Sequence, residues 1–241
     1  MANVLLGATG SVAAVRVPAL FDALTAAGHA VKIVATTAAT YFFDPAVIRG
    51  KNPPQPPPCR EEESDFSPSL QGGGWGVGSL ILDEDEWPGR ADGGRYERGD
   101  TVQHIELRKW ADLLVIAPLD ANTLAKLAVG LCDNCLTCVW RAWDTARPVV
   151  LAPAMNTLMW QHPFTRRHLR SLAADADAGH IPAHLADDPL ISQINDRSPT
   201  LRIVGPITKT LACGDTGIGA MAEVADVVAA VQTMLARAQA A

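Results

Sequence analysis

A cysteine followed at once by glycine, Cys213 in the segment Ala212–Met221 (ACGDTGIGAM), stands in a stretch too glycine-rich to bury it well. A thiol in such a loop is a candidate acid, base or nucleophile, since reactivity needs an accessible sulfur. An incidental loop cysteine is the alternative reading of the same residue. His104, in VQHIELRKW, is the one of six histidines that opens an ordered amphipathic pattern. An imidazole can take or give a proton near neutral pH, although a lone histidine is most often structural or at the surface. Asn156, in APAMNTLMWQHPF, offers a donor and an acceptor just past an apolar run, and Met155, Met159 and Trp160 beside it offer polarizable walls for a flat ring. Core packing explains the methionines equally well; it explains Asn156 less readily.

Two more clusters suit an anion. The turn Gly7–Ser11 (GATGS) lies between an apolar run and a helical pattern, where backbone N–H groups point at a phosphate and Ser11 adds a hydroxyl. Its spacing is not the dinucleotide G-x-G-x-x-G, and the next apolar run ends in Thr36 and Thr37 rather than in an acid that would hold a ribose. That favours a mononucleotide over NAD; an ordinary turn accounts for the glycines as well. The second cluster, Ala117–Asn134 (APLDANTLAKLAVGLCDN), places Asn122 and Thr123 where a helix begins after a strand. Helix capping by Asp120 or Asn122 is the simpler account.

Cys132, Cys135 and Cys138 form a C-x-x-C-x-x-C run that raises the question of a metal or an iron–sulfur cluster. Steps of three on a helix keep three thiols on one stripe, apolar neighbours suit buried cysteines, and no fourth cysteine follows at cluster spacing. The run is read as structural, with no metal.

The elements that must hold these residues alternate. Apolar runs at 3–8, 31–36, 113–118, 148–155 and 201–206 read as strands. Helical patterns at 11–27 (bent near Pro18), 102–110, 121–129, 133–143, from about 156 to 174 and at 222–239 lie between and after them. Strand, glycine turn, helix, strand is the grammar of an α/β parallel sheet flanked by helices. Residues 50–100, with PPQPPP, EEE, GGG and DEDE, read as a long mobile loop insertion with one short strand at Ser79–Leu82, and residues 175–200 as a second loop. The whole 1–241 chain reads as a single domain.

Bulk properties narrow the function. The formal net charge is −6 over 241 residues, with no basic surface for nucleic acid. No stretch reaches the roughly 18 apolar residues of a membrane span, and the opening MANVLLGATG lacks the basic start of a secretory signal. Five cysteines without such a signal read as thiols of a soluble cytoplasmic protein.

Four segments taken together resemble the homo-oligomeric flavin-containing cysteine decarboxylases, and within them the eukaryotic members that act on 4'-phosphopantothenoylcysteine. They are GATGSVAAVR at 7–16, QHIELRKWADLLVIAPLDANTLAKLAVGLCDN at 103–134, PAMNTLMW at 153–160 and ACGDTGIGAMAE at 212–223. The resemblance implies a flavodoxin-like, Rossmann-type subunit that forms homotrimers with FMN between neighbours. By it, His104 is the active-site histidine, Asn156 binds the substrate carboxylate, Met159 shares that motif, and Cys213 belongs to a mobile clamp over the substrate. Gly10, Ser11, Thr37, Ala117, Asn122 and Thr123 fall where the family holds FMN. Arg16, where relatives commonly carry lysine, is the candidate contact to the substrate phosphate.

The implied chemistry is coherent. Direct loss of carbon dioxide from a cysteine carboxylate would leave an unstabilised carbanion. Flavin oxidation at the sulfur end makes an electron sink first, and returning the electrons afterwards leaves the net reaction redox-neutral. Asp120 and Thr210 depart from the serine and arginine common in relatives. The family also includes fungal regulators that bind a protein phosphatase, subunits of mixed trimers, and peptidyl-cysteine decarboxylases. His104, Asn156 and Cys213 on one chain favour a self-sufficient homotrimer over a mixed one.

Overall fold

A computed structural model describes residues 1–49, 80–87, 93–95, 97–210 and 216–240. In chain order the elements are β1 (Asn3–Ala8), α1 (Val17–Ala26), β2 (Ala30–Ala35), α2 (Pro45–Arg49), β3 (Leu80–Leu82) and α3 (Gln103–Trp110). Then come β4 (Leu113–Leu119), α4 (Ala121–Val129), α5 (Cys135–Arg141), β5 (Val149–Pro153), α6 (Thr157–Gln161) and α7 (Pro163–Asp175). The chain closes with α8 (Asp187–Arg197), β6 (Leu201–Ile203), β7 (Ile207–Thr210), β8 (Thr216–Ala220) and α9 (Val224–Ala240).

Six strands form one parallel sheet in the order β3-β2-β1-β4-β5-β6. Its central strands are continuous apolar runs because helices cover both faces. Alternate residues of β1 go to opposite sides. Val4, Leu6 and Ala8 join α1 and α9 in one core. Leu5 joins α3, α4, α5, α7 and α8 in the other. The chain winds outward from β1 in one direction and from β4 in the other, so the topological switch point lies between these two strands. Ligand sites of open α/β sheets gather at the carboxyl ends of strands at such a point.

Several expected boundaries change. The first helical stretch is a 3-10 turn, Val12–Arg16, followed by α1, and Pro18 sits in the first turn of α1, where a missing N–H costs nothing, so it does not bend a helix. The pattern at 133–143 shortens to α5 because Asn134 caps it, accepting from the Thr137 N–H at 2.9 Å. Residues 175–200 are not all loop: α8 forms there, with Leu190 and Ile194 fully buried and Asn195 bonded through both side-chain ends to Ile203 of β6. The glycine-rich 211–221 segment enters an antiparallel hairpin, β7–β8, whose tip, residues 211–215, lies outside the described residues. Of the 50–100 insertion, 50–79, 88–92 and 96 also lie outside them. The described part holds the expected short strand, β3, and a 3-10 turn, Asp83–Glu86, that docks on the body of the protein. Among the described residues no helix is long and apolar enough to cross a membrane.

Candidate active site

The β5 strand ends at Pro153 and the chain turns through Asn156 into α6. Asn156 caps that helix: its Oδ1 accepts from the Leu158 N–H at 2.9 Å. The amide NH2 is the end suited to an anion. The loop is held from outside by β8. The Met155 N–H donates to the Gly219 carbonyl at 2.9 Å. A Cβ at Gly217 would sit 2.4 Å from Thr157 Oγ1, so the hairpin backbone lies directly on the Asn156 loop. The glycines at 217 and 219 are the condition for that contact.

Loop and hairpin enclose one wall of a cavity of about 500 Å³; Ser11, Arg16, Asn156, Lys209 and Met221 contribute to its lining. Arg16 projects from the 3-10 turn, and Lys209 from β7. Both meet Glu223, Arg16 through a short charged contact and Lys209 at 2.7 Å. Hydrogen bonds from Lys209 first, then Arg16, hold the Glu223 carboxyl down at about 2, so it is ionised at any working pH. Two cations against one carboxylate leave net positive charge beside the cavity.

The carboxyl ends of β1, β2 and β4 are tied into one floor. Thr9 Oγ1 donates to the Pro118 carbonyl and accepts from the Asp120 N–H, each at 2.8 Å. A Cβ at Gly10 would lie 2.6 Å from Ala38 Cβ, so the β1 turn abuts the turn after β2. Thr37 donates to Asp83 from its N–H at 3.1 Å and from its hydroxyl at 3.0 Å. The neighbouring Thr36 hydroxyl is buried without a partner, an orphaned polar atom at the strand end where a polar ligand would satisfy it.

His104, in the first turn of α3, belongs to the layer on the other face of the sheet and is not among the residues lining the cavity. Its Nδ1 lies 2.8 Å from Glu86 Oε1, and Trp87 meets its ring edge-on, centroids 6.2 Å apart. Cys138 approaches from α5, so that ligand atoms of Glu86, His104 and Cys138 all lie within 4.8 Å. Burial first, then the Glu86 carboxylate, pushes the Cys138 thiol up to about 12. Burial also pushes Cys135 well above the ordinary thiol range. Of the expected buried stripe, Cys135 is buried, Cys138 half-buried and Cys132 exposed, because Cys132 precedes the helix cap.

The Flavoprotein family matches residues 1–236 of the chain. The chain belongs to this family. Phosphopantothenoylcysteine decarboxylase of Mus musculus is 39% identical over 236 residues, covering 98% of this chain and 88% of the mouse protein. A solved PPC decarboxylase mutant complexed with pantothenoylaminoethenethiol is 39% identical, with TM-score 0.67 over 96% of this chain and 97% of that one. The FMN binding protein AtHal3 is also 39% identical, with TM-score 0.65 over 96% of this chain and 95% of that one.

Within this Flavoprotein fold the predicted residues sort into three groups. Ser11, Arg16 and Asn156 share the cavity. Gly10, Thr37, Ala117, Asn122 and Thr123 sit at the carboxyl ends of β1, β2 and β4. There Ala117 and Thr123 are buried and Asn122 is exposed, while Asp120, not Asn122, caps α4 by accepting from the Thr123 N–H at 2.8 Å. Met159 lies on α6 outside the cavity, 49% exposed, and Met155 takes the place beside Asn156. Cys213 lies outside the described residues. The sequence reading missed Lys209, Glu223, Asp83 and Glu86. A lysine just ahead of the glycine-rich segment was the available signal for Lys209; the acidic run had none, because such runs usually mark solvated surface.

Proposed function

We propose that the chain is an FMN-dependent lyase that decarboxylates 4'-phosphopantothenoylcysteine to 4'-phosphopantetheine and carbon dioxide, a step towards coenzyme A. One observation carries this reading: a single cavity sets the Asn156 loop beside paired Arg16 and Lys209, a carboxylate end and a phosphate end for one elongated substrate.

FMN fits the floor of tied strand ends. Gly10 gives the close approach between two turns, Ser11 and Thr37 bring hydroxyls, and the orphaned Thr36 hydroxyl marks a place short of a polar partner. Ala117 contributes through its backbone, with Asn122 and Thr123 at the start of α4. When bound, FMN supplies reversible two-electron chemistry at the substrate's sulfur end, so that carbon–carbon cleavage has an electron sink.

The chain's own residues do the rest. Asn156 donates its amide hydrogens to the substrate carboxylate and fixes its orientation. Ala154, Met155 and Met221, all buried, keep that end dry, which favours loss of a charged carboxylate as neutral carbon dioxide. Arg16 and Lys209 hold the phosphate as charge-assisted donors. His104 handles a proton at one ring nitrogen, and Cys213 gives the proton that completes the product.

Because His104 is not among the residues lining the cavity that holds Asn156, the complete site forms between copies in a homotrimer. Exposed Tyr41, Leu158, Met159 and Phe164 supply apolar area for that contact. The thiols of Cys132, Cys135 and Cys138 are free, which suits the reducing cytoplasm as the place of action.

The test is a purified protein that is yellow, retains FMN on desalting, and converts phosphopantothenoylcysteine but not a cysteine-terminated peptide. A colourless protein that takes up no added FMN contradicts the reading.

A further inference from the structure

A buried carboxylate faces the ring of His104. The side chain of Glu86 is 8% exposed and that of His104 17%, and Glu86 Oε1 stands 2.8 Å from Nδ1. A carboxylate withdrawn from water is costly unless it accepts hydrogen bonds. The turn that carries it is pinned from both sides. Asp83 accepts from Thr37 and, at 3.3 Å, from the Cys135 N–H, while Asp85 accepts from the Leu82 N–H at 2.8 Å. Trp87 closes the other side of the ring.

We propose that Glu86 is a positioning residue for His104: its carboxylate takes the Nδ1–H, fixes the ring's tautomer and direction, and leaves Nε2 as the atom that works on substrate. The inference rests on the reading of His104 as the active-site histidine. A carboxylate has no hydrogen to give, so the hydrogen between the two atoms sits on Nδ1, and the neutral ring then presents a lone pair at Nε2. The same logic governs other imidazoles backed by a carboxylate.

The other titratable and charged groups near the pair do not displace it. Asp83 and Asp85 of the same turn are held by backbone N–H groups, and Arg49 of α2 is drawn to Asp85 at 3.6 Å. From α5, Cys135 is buried, and the Cys138 thiol donates to the Cys132 carbonyl 3.6 Å away. Among the described residues the ring that meets the Glu86 carboxylate is that of His104, at 2.8 Å.

The experiment reads the ring nitrogens of His104 by 15N NMR in FMN-loaded, full-length protein at about pH 8, where an ordinary imidazole is neutral. Wild type should show Nδ1–H with Nε2 unprotonated. Glu86→Gln should keep that signature, because its carbonyl oxygen still accepts. Glu86→Leu should lose it and revert to the Nε2–H form that free imidazole favours. In turnover, Glu86→Leu should lower kcat by roughly 10- to 100-fold with KM changed less than about twofold, and Glu86→Gln should restore most of the loss. An Nε2–H ring in wild type, or an unchanged ring in Glu86→Leu, overturns the proposal. Should Glu86→Leu not fold, the wild-type and Glu86→Gln spectra decide alone: Nδ1–H in both supports it and Nε2–H in either overturns it. His104→Ala with undiminished kcat would remove the active-site reading while leaving the tautomer result standing, so the two failures are distinguishable.

Discussion

Gly219 accepts a hydrogen bond from the Met155 N–H at 2.9 Å, and a Cβ built on Gly219 would fall 2.2 Å from the Met155 carbonyl oxygen. The backbone of the β7–β8 hairpin is thus seated on the Asn156 loop, with Gly219 at a φ of 144° that side chains rarely adopt. Gly219→Ala should push the hairpin off. We expect a folded protein whose melting temperature falls by a few degrees and whose kcat/KM falls about tenfold or more, since the loop proposed to orient the carboxylate moves. Thermal melts and steady-state kinetics on one preparation check it.

Arg16 and Lys209 come from opposite ends of the chain and share Glu223. Arg16→Ala or Lys209→Ala should raise KM for phosphopantothenoylcysteine by roughly 10-fold or more, the size of a lost charge-assisted hydrogen bond. KM for the unphosphorylated pantothenoylcysteine should hardly move. Equal losses on both substrates would assign these cations to structure instead.

Gly10 meets Ala38 where two strand ends converge. Gly10→Val should part the turns and weaken FMN while leaving the sheet intact. The ratio of flavin absorbance to protein absorbance after desalting should fall well below that of wild type, with the far-ultraviolet circular dichroism unchanged.

The raised thiols of α5 set an alkaline limit. Burial, followed by the Glu86 carboxylate, lifts Cys138 from an ordinary 9.0 to about 12. Between those values the folded protein keeps a proton that the unfolded chain has released, so stability is full below about pH 9 and declines as pH rises towards 12. Urea midpoints from pH 8 to 10.5 should fall, and fall less steeply in Cys138→Ala. Both Cys135 and Cys138 should resist alkylation at pH 8 until the protein is unfolded.

Part of this architecture is legible in the residues. The central strands are uninterrupted apolar runs bounded by glycine, proline or threonine, and the helices between them carry a 3.6-residue period, so β1, β2, β4 and β5 can be read directly. The α8 helix hides because Asp187, Asp188 and Pro189 open it with the composition of a loop; only the four-residue step from Leu190 to Ile194 betrays a buried face.

The site is less legible, for a physical reason. Asn156 and Ser11 stand out because they follow strands. Glu86 and His104 meet across 18 residues, and Arg16 and Glu223 across 207. Pairings at such separations leave no periodic trace. The run Asp83–Glu86 reads as solvated charge, and tertiary contacts with Thr37, Cys135 and His104 make it structural.

The proposed reaction removes a carboxylate held by Asn156 while FMN is bound. Its most direct measurement is release of labelled carbon dioxide from carboxyl-labelled phosphopantothenoylcysteine by the FMN-loaded wild type and by Asn156→Asp. Wild type should release one carbon dioxide per phosphopantetheine formed, and Asn156→Asp should lose about 100-fold or more because a second carboxylate repels the first. Full release by Asn156→Asp, or none by a wild type carrying stoichiometric FMN, would contradict it.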